Sequence, residues 1–211
     1  MFRRFMACAL LFGFTAVPAR AQIAWDAPML IGPGAPAGFG IYLMEPFPGD
    51  NLAVLGTYRT DPVPVGMGFR VGIGEGSGDR LAVFGGIDVA GFLLRVDEEV
   101  PIDVLWFAGA GLGVGRYALL SFPLGLSVGT ILEADGVTFA PYVAPRVVLD
   151  ACLGDDRDTP RRSPCRGDEN LNLDIAADLG LDLSFDPAWT IRFAASLGDR
   201  RALLIGVSFP R

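Results

Sequence analysis

Three aspartates, Asp174, Asp178 and Asp182, recur at four-residue spacing inside the stretch LNLDIAADLGLDLSFD, residues 171–186. Carboxylates in such a row can ligate or favour cations, act as paired acid and base, or pair with arginine. General acid–base and triad chemistry most often runs through histidine, and the chain has none. That removes Ser-His and Asp-His catalysis and leaves only glycosidase-type carboxylate pairs as a formal enzymatic option. The acids lie on regular segments with arginine nearby, so charge pairing is the expected role and no enzyme is expected. With no histidine, two cysteines make a poor metal site, and no cofactor or metal is expected. GEGSGDRLAV (74–83) resembles one calcium-binding nonapeptide repeat, but a single copy has no neighbour to stack on. It reads as a Gly-rich hairpin turn. GAGLGVG (109–115) lacks the helix that a phosphate-binding loop requires.

The element that carries the three aspartates decides what they can do. Its odd positions, Leu171 to Phe185, are all apolar, and its even positions are mostly acidic. A helix would spread the apolar set around its cylinder, and Gly180 disfavours a helix. A strand sorts the two sets onto opposite faces. The same alternation runs through 65–74, 102–115, 117–132 and 189–197. Further strands are read near 37–46, 51–60, 80–96, 137–151 and 201–209, with Asp135-Gly136 as a two-residue hairpin signal. One face is continuously apolar. The other holds Gly, Ala and scattered charges: Arg70, Asp88, Asp103, Arg146, Asp174, Asp178, Asp182 and Arg192.

A soluble sheet would turn Thr, Lys and Glu to water on that second face. A face of Gly and Ala fits a narrow interior instead. The pattern predicts an all-β fold, a closed antiparallel up-and-down transmembrane β-barrel of eight to ten strands. Lipid would cover the apolar face, and these charges would form a luminal network. Arg192 and Arg146 are expected to neutralise the aspartate row; the competing role for that row is cation preference in a pore. The longest connection, 152–170, falls on the side where such barrels keep long loops if both chain ends lie on the other.

Ahead of the barrel, MFRRFMACALLFGFTAVPARAQ has a positive start, a short apolar core and an Ala19-Arg20-Ala21 cleavage site, the pattern of a signal peptide. The domain reading is a signal peptide over 1–21, an irregular Pro-rich lead-in over 22–36 and a barrel over 37–211. Cleavage removes Arg3, Arg4 and Arg20 from the 17 basic residues, which leaves 14 against 24 acids, a net of −10. Nucleic acid is therefore not an expected partner. Of three cysteines, Cys152 and Cys165 remain after cleavage. Export predicts that they form a disulfide.

The export signal, the Gly-rich alternating strands, VTFAPYVAPRVVLD (137–150) and the terminal RALLIGVSFPR (201–211) resemble the small bacterial outer-membrane β-barrel superfamily of OmpA-like and porin-like proteins. The resemblance covers residues 37–209. It implies the cell outer membrane, lipid and the barrel-insertion machinery as partners, a monomer, and Phe209 as the C-terminal aromatic that the machinery reads. Here Pro210 and Arg211 follow that aromatic, a departure from the usual ending. The function this implies is a structural or surface-interaction role. A narrow passive pore is one alternative. A soluble exported lipocalin-like barrel with an apolar ligand inside is the other, and it requires the two faces to be reversed.

Overall fold

The computed structural model describes residues 24–46, 52–62, 65–76, 80–96, 101–115, 118–153 and 171–211. Eleven strands follow one another: β1 (Gly38–Pro46), β2 (Ala53–Arg59), β3 (Gly66–Gly76), β4 (Arg80–Leu94), β5 (Asp103–Val114), β6 (Ala118–Gly129), β7 (Leu132–Ala134), β8 (Val137–Leu153), β9 (Leu171–Asp186), β10 (Trp189–Gly198) and β11 (Ala202–Pro210). No described residue is helical. Each strand runs antiparallel to its neighbour, β6 pairs with β8, and β1 closes on β11 from Gly38↔Pro210 to Pro46↔Ala202. The result is a closed ten-strand up-and-down barrel. The three-residue β7 is a side hairpin on β8, turned by Asp135-Gly136 with both residues at positive φ (51° and 80°). An aspartate and a glycine tolerate that left-handed geometry best, which is why this dipeptide makes the turn.

The alternation in the sequence becomes the wall of the barrel. In β1 buried and exposed residues alternate without a break over nine positions. Phe39, Ile41 and Leu43 point out and Gly40, Tyr42 and Met44 point in. Phe39 and Val71 are each 64% exposed, and an unbroken set of outward Leu, Ile, Val and Phe encircles the molecule. The lipocalin-like arrangement, with apolar residues inward and a polar exterior, is thus the reverse of what is found.

Two ends can be distinguished. At the terminal end β1 begins and β11 finishes; at the far end Pro46 meets Ala202, and β8 and β9 are joined through 154–170. The terminal end carries a row of outward aromatics. The register sets Phe39 opposite both Tyr58 and Phe209, and Tyr58 opposite Phe69. The Phe39 and Tyr58 rings lie 4.7 Å apart and the Tyr58 and Phe69 rings 6.4 Å apart. Residues far apart in sequence thus form one belt.

The irregular lead-in is not outside the barrel. Residues 24–36 contain no strand, and Trp25 to Pro33 are all buried. Trp25 is 2% exposed, Met29 0% and Ile31 1%. Ala24 packs with the cluster that includes Ala53, Ala82 and Ala202 at the far end. Gly34 lies against Ala140, and the Ala37 carbonyl accepts a hydrogen bond from Arg211 N–H, both toward the terminal end. The segment therefore descends through the lumen from the far end to the start of β1. The described amino-terminal residues begin at the end opposite Arg211, so the two ends of the described chain are not on one side.

Candidate functional site: the luminal charge network and its internal segment

An irregular chain buried inside a barrel is tolerated only where its backbone polar groups find partners. The inward charges of the strands supply them here. Arg70 Nη1 donates to the Pro28 carbonyl at 2.9 Å, and Arg192 Nη1 to the Leu30 carbonyl at 3.3 Å. The Met29 N–H donates to Asp178 at 2.9 Å. Trp25 Nε1 reaches the Ser121 carbonyl at 3.4 Å.

The lumen glycines shape the cavity for this segment. Trp25 lies over Gly86, Gly109 and Gly111 of β4 and β5. A Cβ on Gly109 would stand 2.9 Å from Trp25 Cη2, and one on Gly86 or Gly111 would come closer still. Gly68 leaves room for the Asp88 carboxylate, and Gly180 for the Tyr142 ring. An inner face rich in glycine is thus the negative of a bulky internal guest.

Two groups of charges fill the remaining space. Toward the terminal end, Arg59 Nη2 donates to Asp88 at 2.6 Å and Arg70 Nε to Asp88 at 3.3 Å. Arg192 holds Asp182 with two parallel bonds of 2.6 and 2.9 Å, the strong bidentate form. Toward the far end, Arg146 pairs with Asp178 at 2.8 Å and with Asp26. Arg200 pairs with Asp26, Asp150 and, at 3.4 Å, Asp174. Four carboxylates there face two guanidinium groups. Buried ions are tolerated when paired and hydrogen-bonded in this way.

Of the residues singled out in the sequence, Arg70 meets Asp88, Arg146 meets Asp178, and Arg192 meets Asp182. Asp174 joins Arg200 instead of Arg192 or Arg146. Asp103 is buried at the first position of β5 and accepts the Val96 N–H at 2.8 Å. Phe209 is exposed in β11, opposite Phe39. Cys152 is buried near the end of β8, and Cys165 lies outside the described residues.

Sequence reasoning missed Arg59, Asp150, Arg200 and Asp26. Asp150 had a signal: it shares inward parity with Arg146, four residues earlier on β8. Arg59 shares parity with the small and apolar Ala53 and Leu55. Arg200 and Asp26 lie in irregular chain and had no such signal. No metal-ligating cluster of three or more acids, Cys or His is found among the described residues.

No protein-family model matches this chain, and no curated protein does. Among solved structures, a bacterial polysaccharide outer membrane secretin aligns with 76% of this chain and 57% of its own, at 7% identity and a TM-score of 0.42. The KdgM porin aligns with 82% of this chain and 98% of its own, at 9% identity and a TM-score of 0.39. The same porin in complex with disordered oligogalacturonate gives 10% and 0.41. At these identities and TM-scores the likenesses carry no argument about what this chain does.

Proposed function

We infer that the chain is an outer-membrane β-barrel whose lumen is sealed by its own amino-terminal segment, and that its role is structural or interactive at the cell surface. The observation that carries this reading is the pairing of an apolar outer wall with a lumen filled by residues 24–36 and Arg–Asp pairs. An apolar wall of this extent suits lipid, and the aromatic row at the terminal end suits the membrane–water boundary. Inside, the buried run from Trp25 to Pro33 occupies the path that a solute would take. A passive pore would need that segment displaced, so it is the second reading and not the first.

The reading brings the remaining expectations with it: a cleaved leader over 1–21, lipid and the insertion machinery as partners, a monomer, Phe209 as the terminal aromatic, and a Cys152–Cys165 disulfide. The test is partition of the mature protein with and without detergent, then gel mobility before and after boiling, then conductance in a planar bilayer. A detergent-dependent protein that shifts on boiling and passes no current supports a sealed membrane barrel. Steady single-channel current from the unmodified chain would establish the pore. Solubility without detergent would overturn both.

A further inference from the structure

On the outer wall toward the far end, an open groove of about 640 Å³ crosses the β1–β11 seam that closes the barrel, from Leu52 to Leu179. Its shape follows from register. Glu45, Leu203, Ala195 and Leu179 stand side by side on β1, β11, β10 and β9, all on the outward face. Ala195 is the one small side chain in that row, so it leaves a notch between Leu203 and Leu179, with the bulky Phe193 two residues away on the same face. Neighbouring strands lie about 4.8 Å apart, so the four steps from Leu52 to Leu179 give a length of about 19 Å. That is the reach of a long extended acyl chain.

Charge says what kind of chain fits. Glu45 is the one charged residue that lines the groove; the others are apolar or glycine. It is exposed and has no ion-pair partner among the described residues. Its position also sets the level. Glu45 and Glu75 are outward acids, each one residue before the last of its strand, β1 and β3. Acids on the lipid face are tolerated near the membrane boundary and not at mid-depth, so the Glu45 end of the groove lies where lipid head groups meet their chains. A carboxylate at that level, beside a channel lined by hydrocarbon, is complemented by an ammonium group carried on a long apolar chain. A head group that is only anionic would be repelled by it.

We propose that this groove holds one aminophospholipid, with an acyl chain laid across the seam over Ala195 and its ammonium group donating to the Glu45 carboxylate. The proposal rests on the outer-membrane reading above and names a lipid contact within it. The bound chain would cover apolar surface on β1, β11, β10 and β9 together and so brace the strands on both sides of the closure.

The test folds the full mature chain into vesicles of equal phosphatidylethanolamine and phosphatidylglycerol with the same acyl chains. The protein is then extracted into detergent, and the lipid it retains is read by native mass spectrometry. One retained lipid per barrel is expected, with phosphatidylethanolamine favoured about three- to fivefold, the range of one partly exposed ion pair. Glu45→Gln should level the two lipids while the boiling-induced gel shift stays as in the native chain. Ala195→Phe, which fills the notch, should lower retention of both. Equal retention of the two lipids by the native chain overturns the proposal, because it describes an unselective lipid shell. So does a preference that survives Glu45→Gln, or retention that Ala195→Phe leaves unchanged. A barrel that needs detergent and shifts on boiling but keeps no lipid overturns this site alone. A chain that is soluble without detergent overturns the outer-membrane reading with it.

Discussion

Replacing Arg200 with Met removes the cation that touches Asp26, Asp150 and Asp174 at once. Arg146 alone would then face four carboxylates, Asp26, Asp150, Asp174 and Asp178. Arg200 is 6% exposed and Asp150 1%, so water is poorly placed to take over. Breaking a buried pair from one side costs about 3–5 kcal/mol, and the nearness of the far mouth argues for the lower part of that range. Asp150→Asn in the same chain leaves three carboxylates to one guanidinium, which restores the native surplus of two. The double variant should therefore regain about 1–3 kcal/mol over Arg200→Met, a coupling of the size seen for residues in contact.

The assay is urea unfolding in detergent, followed by the mobility difference between folded and boiled protein. Arg201→Met is the control. The Arg201 side chain is exposed and, among the described residues, donates to the Gly198 carbonyl at 3.3 Å, so a change within about 0.5 kcal/mol is expected. If Arg200→Met unfolds at the native urea concentration, the far-end cluster does not hold the segment in place. If Asp150→Asn adds its own loss to that of Arg200→Met, the surplus-charge reasoning is wrong even though the pairs exist.

Other perturbations address the remaining parts of the design. Arg192→Ala leaves Asp182 buried without its bidentate partner and should cost about 3 kcal/mol or more, read as a lower temperature for the boiling-induced gel shift; an unchanged temperature would refute the pairing. Gly111→Ala places a methyl group against the Trp25 ring and the Gly85 carbonyl and should cost about 1–3 kcal/mol by overpacking, measured by urea unfolding. Val71→Arg, mid-strand on the outer wall, should cost about 2–4 kcal/mol in lipid vesicles; a neutral result would mean that this wall does not meet hydrocarbon. Ala24 stands at the far end, so an epitope fused ahead of it should be accessible from the same side as one in the 154–170 connection, and opposite to one after Arg211. Matching accessibility of the first and last epitopes would overturn the direction of the internal segment.

The wall of this barrel was legible because a strand has a period of two. Leu171 through Asp186 could be sorted by parity alone, and Arg70, Asp88, Arg146, Asp178, Asp182 and Arg192 follow from that parity to the inner face. Partners were less legible. Parity gives a residue's face but not its height in the lumen, and the barrel's stagger sets height. Asp174 therefore meets Arg200 in the connection after β10 and not Arg192 within it. The aromatic belt was hidden for the same reason, since Phe39, Tyr58, Phe69 and Phe209 are aligned by register and not by sequence spacing.

The internal segment was hidden for a different reason. Residues 24–36 have no period, so nothing local marks them as buried. The clue lay instead in their hosts. A closed barrel of this size fills its lumen with side chains, yet Gly86, Gly109 and Gly111 contribute none. Small inner residues on adjacent strands imply that bulk comes from elsewhere in the chain, and Trp25 supplies it. The charges give the same indication. Arg146 and Arg200 reach past the strand acids to share Asp26, and Arg70 and Arg192 spend one N–H each on carbonyls of the segment. The same strand residues that neutralise one another also hydrogen-bond the segment's backbone. Removing the segment would therefore leave both a hollow and, on Arg70, Arg146, Arg192 and Arg200, N–H groups without their present acceptors, which is the physical basis of the proposed reading of the lumen as a receptor for residues 24–36.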